Sequence, residues 1–172
     1  HLRLKKGGTL ELSLLINSTD AAEIMHFSIL IHDEPNSAAL RDVHRDAHLS
    51  YLKNFDDQTL FAGPFTDDEE TQDLGSFRIL DMADRAAAEQ HIADEPYVTG
   101  GIQKRWSIHR WKGSVPHSWR DCPRTEGNIQ ALFYGLDHPG GMAKRIENRD
   151  AHEAYLEEHA NMVMTRGPLL NE

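Results

Sequence analysis

Residues 45–52 read RDAHLSYL, and residues 149–156 read RDAHEAYL. Setting residue i against residue i+104 extends this match without a gap. Asp33 meets Asp137, Pro35 meets Pro139, Arg41 meets Arg145, and Arg45 to His48 meet Arg149 to His152. Tyr51, Leu52, Gly63 and Pro64 then meet Tyr155, Leu156, Gly167 and Pro168. One charged helix can mimic another by chance, but a constant offset across two turns, a helix and a strand points to duplication. A chain of 172 residues can hold one complete copy of a small domain and one incomplete copy.

Outward from that block, the first copy starts at Met25. HFSILIH places Phe27, Ile29 and Ile31 on one face with the two-residue period of a strand. DEPNS is a turn, and Ser37 is placed to cap a helix over about 38–55, where Leu40, Val43, Ala47, Leu52 and Phe55 form an apolar stripe. Leu60 to Ala62 reads as a short strand closed by Gly63-Pro64, TDDEETQD as a polar loop, and Gly75 to Leu80 as a third strand. An Ala-rich helix within DMADRAAAEQHIADEP must stop before Pro96, and Gly101 to Trp111 alternates as a fourth strand. The order βαββαβ is that of an α+β ferredoxin-like sandwich, with two helices on one face of a four-stranded antiparallel sheet.

The other sheet face has no cover within such a domain, so pairing with a second sheet is expected. That pairing is either intramolecular, between the two copies, or a homodimer contact. Residues 113–127, rich in Pro, Gly, Ser and Arg, read as a linker. Residues 128–172 then supply a strand at 129–136, a helix at about 143–159 and a strand at 162–166, without the later elements. Residues 1–24 form an N-terminal extension. Its alternating segment at 9–17 is either a strand on the half-domain or an artefact of how the chain was made, since Met25 reads as a natural start.

Composition narrows the function. A formal charge of −10 with scattered Lys and Arg argues against a nucleic-acid partner. No apolar run approaches the roughly 20 residues of a spanning helix, and the N-terminus lacks a signal-peptide core. Neither a membrane nor a nucleic acid is therefore expected as partner. Cys122 stands alone, which favours a reducing cytoplasm and gives neither a disulfide framework nor a thiolate cluster. It reads as a bystander thiol. Serine-nucleophile, Walker and dinucleotide patterns are absent.

The remaining candidate is an acid–base site. Arg41, Arg45, His48 and Leu52 share a helix face by spacing, so His48 lies beside two cations at the edge of the apolar stripe. An imidazole oriented by a carboxylate can exchange a proton at working pH. Asp94 and Glu95, at the break before Pro96-Tyr97, are the candidate carboxylates, and spacing does not choose between them. A packing histidine satisfied by a backbone group is the competing reading. His44 and His48 at i and i+4, with His32, would suit a metal, but the second copy has Asn148 and Leu136 where His44 and His32 stand. Neither metal nor cofactor is expected.

These residues resemble the YCII-related domain family. Its pattern is met by Arg45-Asp46-Ala47-His48-Leu49 with Leu52, Ala62-Gly63-Pro64, Gly75-Ser76, Glu95-Pro96-Tyr97 and Gly101-Ile102. The match spans 25–112, with 129–170 as a partial second copy. The resemblance implies a dimeric α/β barrel with a His and Asp dyad, carried here by His48 and Glu95, where Glu replaces the usual Asp. Arg41, Gly63, Pro64, Ser76 and Tyr97 are the residues expected around a small-molecule ligand, with Arg45 expected to steady an oxyanion. A lyase or isomerase acting on cyclic or aromatic substrates, dehydrochlorinase-like, is the expected activity. The alternative is a non-catalytic module that binds small ligands or another protein.

Overall fold

The alternating Phe27, Ile29 and Ile31 form a central strand in the computed structural model, which describes residues 25–170. The element order is β1 (Met25–Asp33), α1 (Ala38–Lys53), β2 (Thr59–Thr66), β3 (Asp73–Met82), α2 (Arg85–Ala93), α3 (Pro96–Thr99) and β4 (Gln103–Trp111). Beyond it lie α4 (Met142–Glu147), α5 (Arg149–Glu158) and β5 (Leu169–Leu170). The result is a mixed α/β fold whose antiparallel sheet runs β2-β3-β1-β4-β5. The expected βαββαβ order is present, with one addition. Pro96, expected in a turn, opens the single-turn helix α3, where its missing N–H costs nothing.

Local chemistry explains the boundaries. Asp84 accepts the Ala87 N–H at 2.8 Å and caps α2. Glu95 caps α3 by accepting the Tyr97 N–H. Ser37 stands before α1 but makes no side-chain cap hydrogen bond. Phe27, Ile29, Ile31, Leu80, Met82 and Ile108 close the core against Ala88 and Ile92 of α2. Cross-strand partners share a sheet face. The pairs Phe27 with Leu80, Ile29 with Arg78 and Ile31 with Ser76 therefore put Arg78 and Ser76 on the same helix-covered face as that core.

Helix α1 departs from expectation in its orientation. Of the supposed buried stripe, Val43 is 76% exposed, Leu40 is 45% exposed and Ala47 faces solvent, while Leu52 and Phe55 are half-buried. The inward side carries Arg41, His48 and Tyr51, which bond Asp33, Glu95 and His91, and His44, whose ring lies against Gly100. Polar pairing has set the rotation of this helix, because a buried charge left unpaired would cost more than an exposed valine.

The far face of the sheet is partly covered by the segment that follows β4. Cys122, expected to be a bystander, is buried in a cluster with Phe61 and Ile79, against which Phe77, Trp111 and Met164 pack. The Trp119 N–H donates to the Leu60 carbonyl at 2.8 Å and anchors this segment on the β2 edge.

Residues 129–136, expected as a strand, lack ladder partners, and Phe133 is 93% exposed. An isolated strand leaves its backbone groups unpaired and is not stable alone. The expected helix at 143–159 is divided into α4 and α5 at Asn148. At 162–166, in place of a strand, a 3-10 turn at Ala160–Met162 leads towards β5. The expected strand at 9–17 lies outside the described residues. Among the described residues, no helix is long and apolar enough to cross a membrane.

Candidate active site

The inward face of α1 meets the N-terminus of α3 at His48. The His48 Nδ1 lies 2.7 Å from Glu95 Oε1, the imidazole stacks on the Tyr97 ring at 3.9 Å between centroids, and the two planes differ by 7°. The Glu95 side chain is fully buried, and that of His48 is 12% exposed. Burial pushes the Glu95 carboxyl up, but the His48 hydrogen bond, the Arg78 charge and the Tyr97 N–H outweigh it and hold it below the usual carboxylate range. An ionised carboxylate can only accept, so Nδ1 donates and the Nε2 lone pair is free to take a proton.

A wider set of buried polar groups surrounds this pair. Arg78, on β3, puts Nη2 3.4 Å from Glu95 Oε2, so the two carboxylate oxygens face different partners. Its Nη1 donates to His91 Nε2 at 3.1 Å, which requires a neutral ring. Burial first, and then the Arg78 charge, push His91 down to about 4. The Tyr51 hydroxyl donates to the His91 carbonyl at 2.9 Å, and burial followed by the charges of Asp94 and Glu95 pushes it up to about 12. On the other side, Arg41 lies 4.7 Å over the Tyr97 ring and binds Asp33 at 2.5 Å and Asp73 at 3.0 Å. Gln103 donates to the second Asp33 oxygen at 2.9 Å.

Beside this network lies a cavity of about 190 Å³, lined by Leu52, Phe55, Ala62, Arg78, His91 and Trp119 among others. It runs along the half of α1 that follows His48. A larger recess of about 410 Å³, lined by Arg85, Glu89, Ala93, Trp106 and Ile108, contains no residue of the His48–Glu95 network.

Of the two candidate carboxylates, Glu95 meets His48, whereas Asp94 ends α2 and faces solvent. Arg45 is exposed, and Arg41 is the arginine nearer the dyad through Tyr97. Gly63 and Pro64 are exposed on β2, and Ser76 is buried opposite Pro64 with its hydroxyl unpaired. Among the described residues, none of these three bonds to His48 or Glu95. The three histidines weighed for a metal have separate partners: His32 meets Phe65 edge-on, His44 packs on Gly100, and His48 bonds Glu95. No cluster of three metal-ligating side chains occurs among the described residues. Sequence reasoning passed over Arg78, His91, Asp33 and Gln103. Arg78 had a signal, because a charged residue stands in phase with Leu80 and Met82 on the core side of a strand.

No curated protein matches the chain. Among solved structures, the chain is similar to the 5-chloro-2-hydroxyhydroquinone dehydrochlorinase of Burkholderia phenoliruptrix, determined with 2,5-dihydroxybenzoquinone bound. The identity is 26%, over 51% of this chain and 94% of that one, with a TM-score of 0.48. The family model for the YCII-related domain matches residues 25–112, the segment from β1 through β4 that builds the His48–Glu95 pair, and the chain therefore belongs to the YCII-related domain family.

Proposed function

We propose that the first domain is a small-molecule enzyme in which His48 acts as general acid–base, oriented by Glu95. The observation that carries this reading is the 2.7 Å contact between the His48 Nδ1 and a fully buried carboxylate, which leaves Nε2 free. Glu95 holds the tautomer and stabilises the imidazolium formed when Nε2 removes a proton from substrate carbon or hydroxyl. Return of that proton to a leaving group completes an elimination; return to a second carbon completes an isomerisation. Tyr97 fixes the ring plane, and Arg41 is the cation placed to steady a developing oxyanion, the role first considered for Arg45. Cyclic or aromatic substrates of hydroxyquinol type, dehydrochlorinase-like, suit a cavity bounded by Phe55, Leu52 and Trp119.

The test is a screen of chlorinated hydroxyquinols and related lactones, followed by His48→Ala and Glu95→Gln. Loss of kcat by roughly 100-fold or more in His48→Ala is expected. Turnover that survives His48→Ala would remove the residue from the mechanism.

We also read residues 128–172 as a partial second copy of the domain, paired with the first within the chain. The local geometry supports this at the same offset of 104. Arg145 binds Asp137 as Arg41 binds Asp33. Gly140 has positive φ as Asn36 does, and the 3-10 turns at 56–58 and 160–162 correspond. The strand β5 corresponds to the end of β2 and adds to the open edge of β4.

A further inference from the structure

The cavity beside the dyad has one wall from outside the family match. Leu52, one helical turn on from His48, stands around it with Phe55, Arg78, Leu80 and His91, and all five lie within residues 25–112. Among the described residues, Trp119 is the one lining group that comes from beyond β4.

Local chemistry stitches that group to the sheet edge. The register of β2 on β3 shifts between Thr59 and Phe61, which leaves Leu60 as the extra residue of a bulge on an edge strand. The Leu60 carbonyl accepts the Trp119 N–H at 2.8 Å. Arg120 lies 4.7 Å over the indole, and its Nη2 donates to the Asp56 carbonyl at 3.2 Å. Asp121 closes the turn by accepting from the Ser118 N–H at 2.6 Å and the Ser118 hydroxyl at 2.9 Å. Cys122 then buries itself with Phe61 and Ile79. Trp119 is held at the cavity yet is 40% exposed, so its indole stands between the cavity and solvent.

We propose that Trp119 is the specificity-determining residue of this cavity, limiting the ligand to a single six-membered ring whose oxygen substituents are received by Arg78. An apolar cavity of about 150 Å³ accepts benzene, so one of about 190 Å³ holds one substituted ring and not two fused rings. Arg78 is 2% exposed, and its Nη2, ion-paired with Glu95, makes no hydrogen bond among the described residues, which leaves a donor for a ligand oxygen. The other apolar walls, Leu52, Phe55 and Leu80, belong to α1, the turn after it and β3, whereas the Trp119 side chain can be removed without touching those elements. Its removal opens the cavity outward and admits a second ring. This inference rests on the reading of the cavity as the ligand site of the domain.

The experiment is an NMR titration of the full chain, isotope-labelled at tryptophan, with catechol and with 2,3-dihydroxynaphthalene, which carries the same diol on one more ring. Catechol is expected to shift the Trp119 indole N–H resonance, assigned with Trp119→Phe, and to leave that of Trp106, which lines the larger recess. Wild type should prefer catechol, and Trp119→Ala should move the ratio of the two dissociation constants towards the larger diol by roughly tenfold or more. Trp119→Phe keeps the backbone bond to Leu60 and should move the ratio the same way by less, which serves if the alanine variant does not fold. An unmoved Trp119 resonance, a shift at Trp106 in its place, or a ratio unchanged in either folded variant overturns the proposal. Binding is read here without turnover, so the two claims fail separately. A chain that selects rings through Trp119 yet turns none over supports this inference and counts against the acid–base role of His48.

Discussion

His91 makes the stability of the domain steeply dependent on pH in a window set by its surroundings. The ring is 2% exposed, and burial with the adjoining Arg78 guanidinium takes it from 6.5 down to about 4. Between those values the unfolded chain binds a proton that the folded one refuses, so stability is complete above about pH 7 and falls as pH drops towards 4. The difference of 6.5 minus 4, at 1.36 kcal/mol per unit, corresponds to about 3 kcal/mol. For a domain whose total stability is of order 5–15 kcal/mol, that is a large fraction. The comparison protein is His91→Gln, whose amide oxygen can still accept from Arg78 but does not titrate. Urea unfolding of both proteins between neutral pH and pH 4.5 isolates the effect, since Glu95 and the other carboxylates titrate in each. Wild type should lose about 2–3 kcal/mol more than the variant over that range. A difference that is flat with pH, or that favours wild type in acid, would refute the argument from burial and from Arg78.

Further predictions follow from the same network. Glu95→Gln leaves the Arg78 guanidinium buried without a counter-charge and should cost about 3–5 kcal/mol in urea unfolding, partly recovered by adding Arg78→Met. The Ser76 hydroxyl is buried without a hydrogen-bond partner, so Ser76→Ala should be neutral or stabilising by about 1 kcal/mol; a clear drop in thermal midpoint would show a partner unseen here. A Cβ on Gly100 would meet the His44 ring and the Pro96 carbonyl at 2.8 Å. Gly100→Ala should therefore cost about 1–3 kcal/mol and shift the His44 resonances in an NMR spectrum.

The main-chain elements were largely legible because their signals are local. Two-residue alternation marked β1 and β4, and Pro96 marked the end of α2. The recurrence of the RDAH block at an offset of 104 was legible for the same reason, since a constant offset needs no knowledge of packing. The aligned positions include Asp33 and Arg41 with Asp137 and Arg145, and in the structure each Arg pairs with its Asp, a contact that the offset did not reveal. Residues 129–136 show where such local reasoning ends, because a strand also needs neighbours, and the neighbours of that segment are not in its own sequence.

What the residues alone determined is the order of the elements through β4, the recurrence of the RDAH block, and His48 as the candidate proton carrier near a carboxylate. Which carboxylate, which arginine and which face of α1 were decided only in three dimensions. Asp94 and Glu95 are adjacent, yet the turn from α2 into α3 sends the first to solvent and buries the second under His48. Helical periodicity alone placed Leu40 and Val43 inward. The buried charges of Asp33, Arg78 and Glu95 required partners, and pairing Arg41 and His48 with them turned the helix the other way.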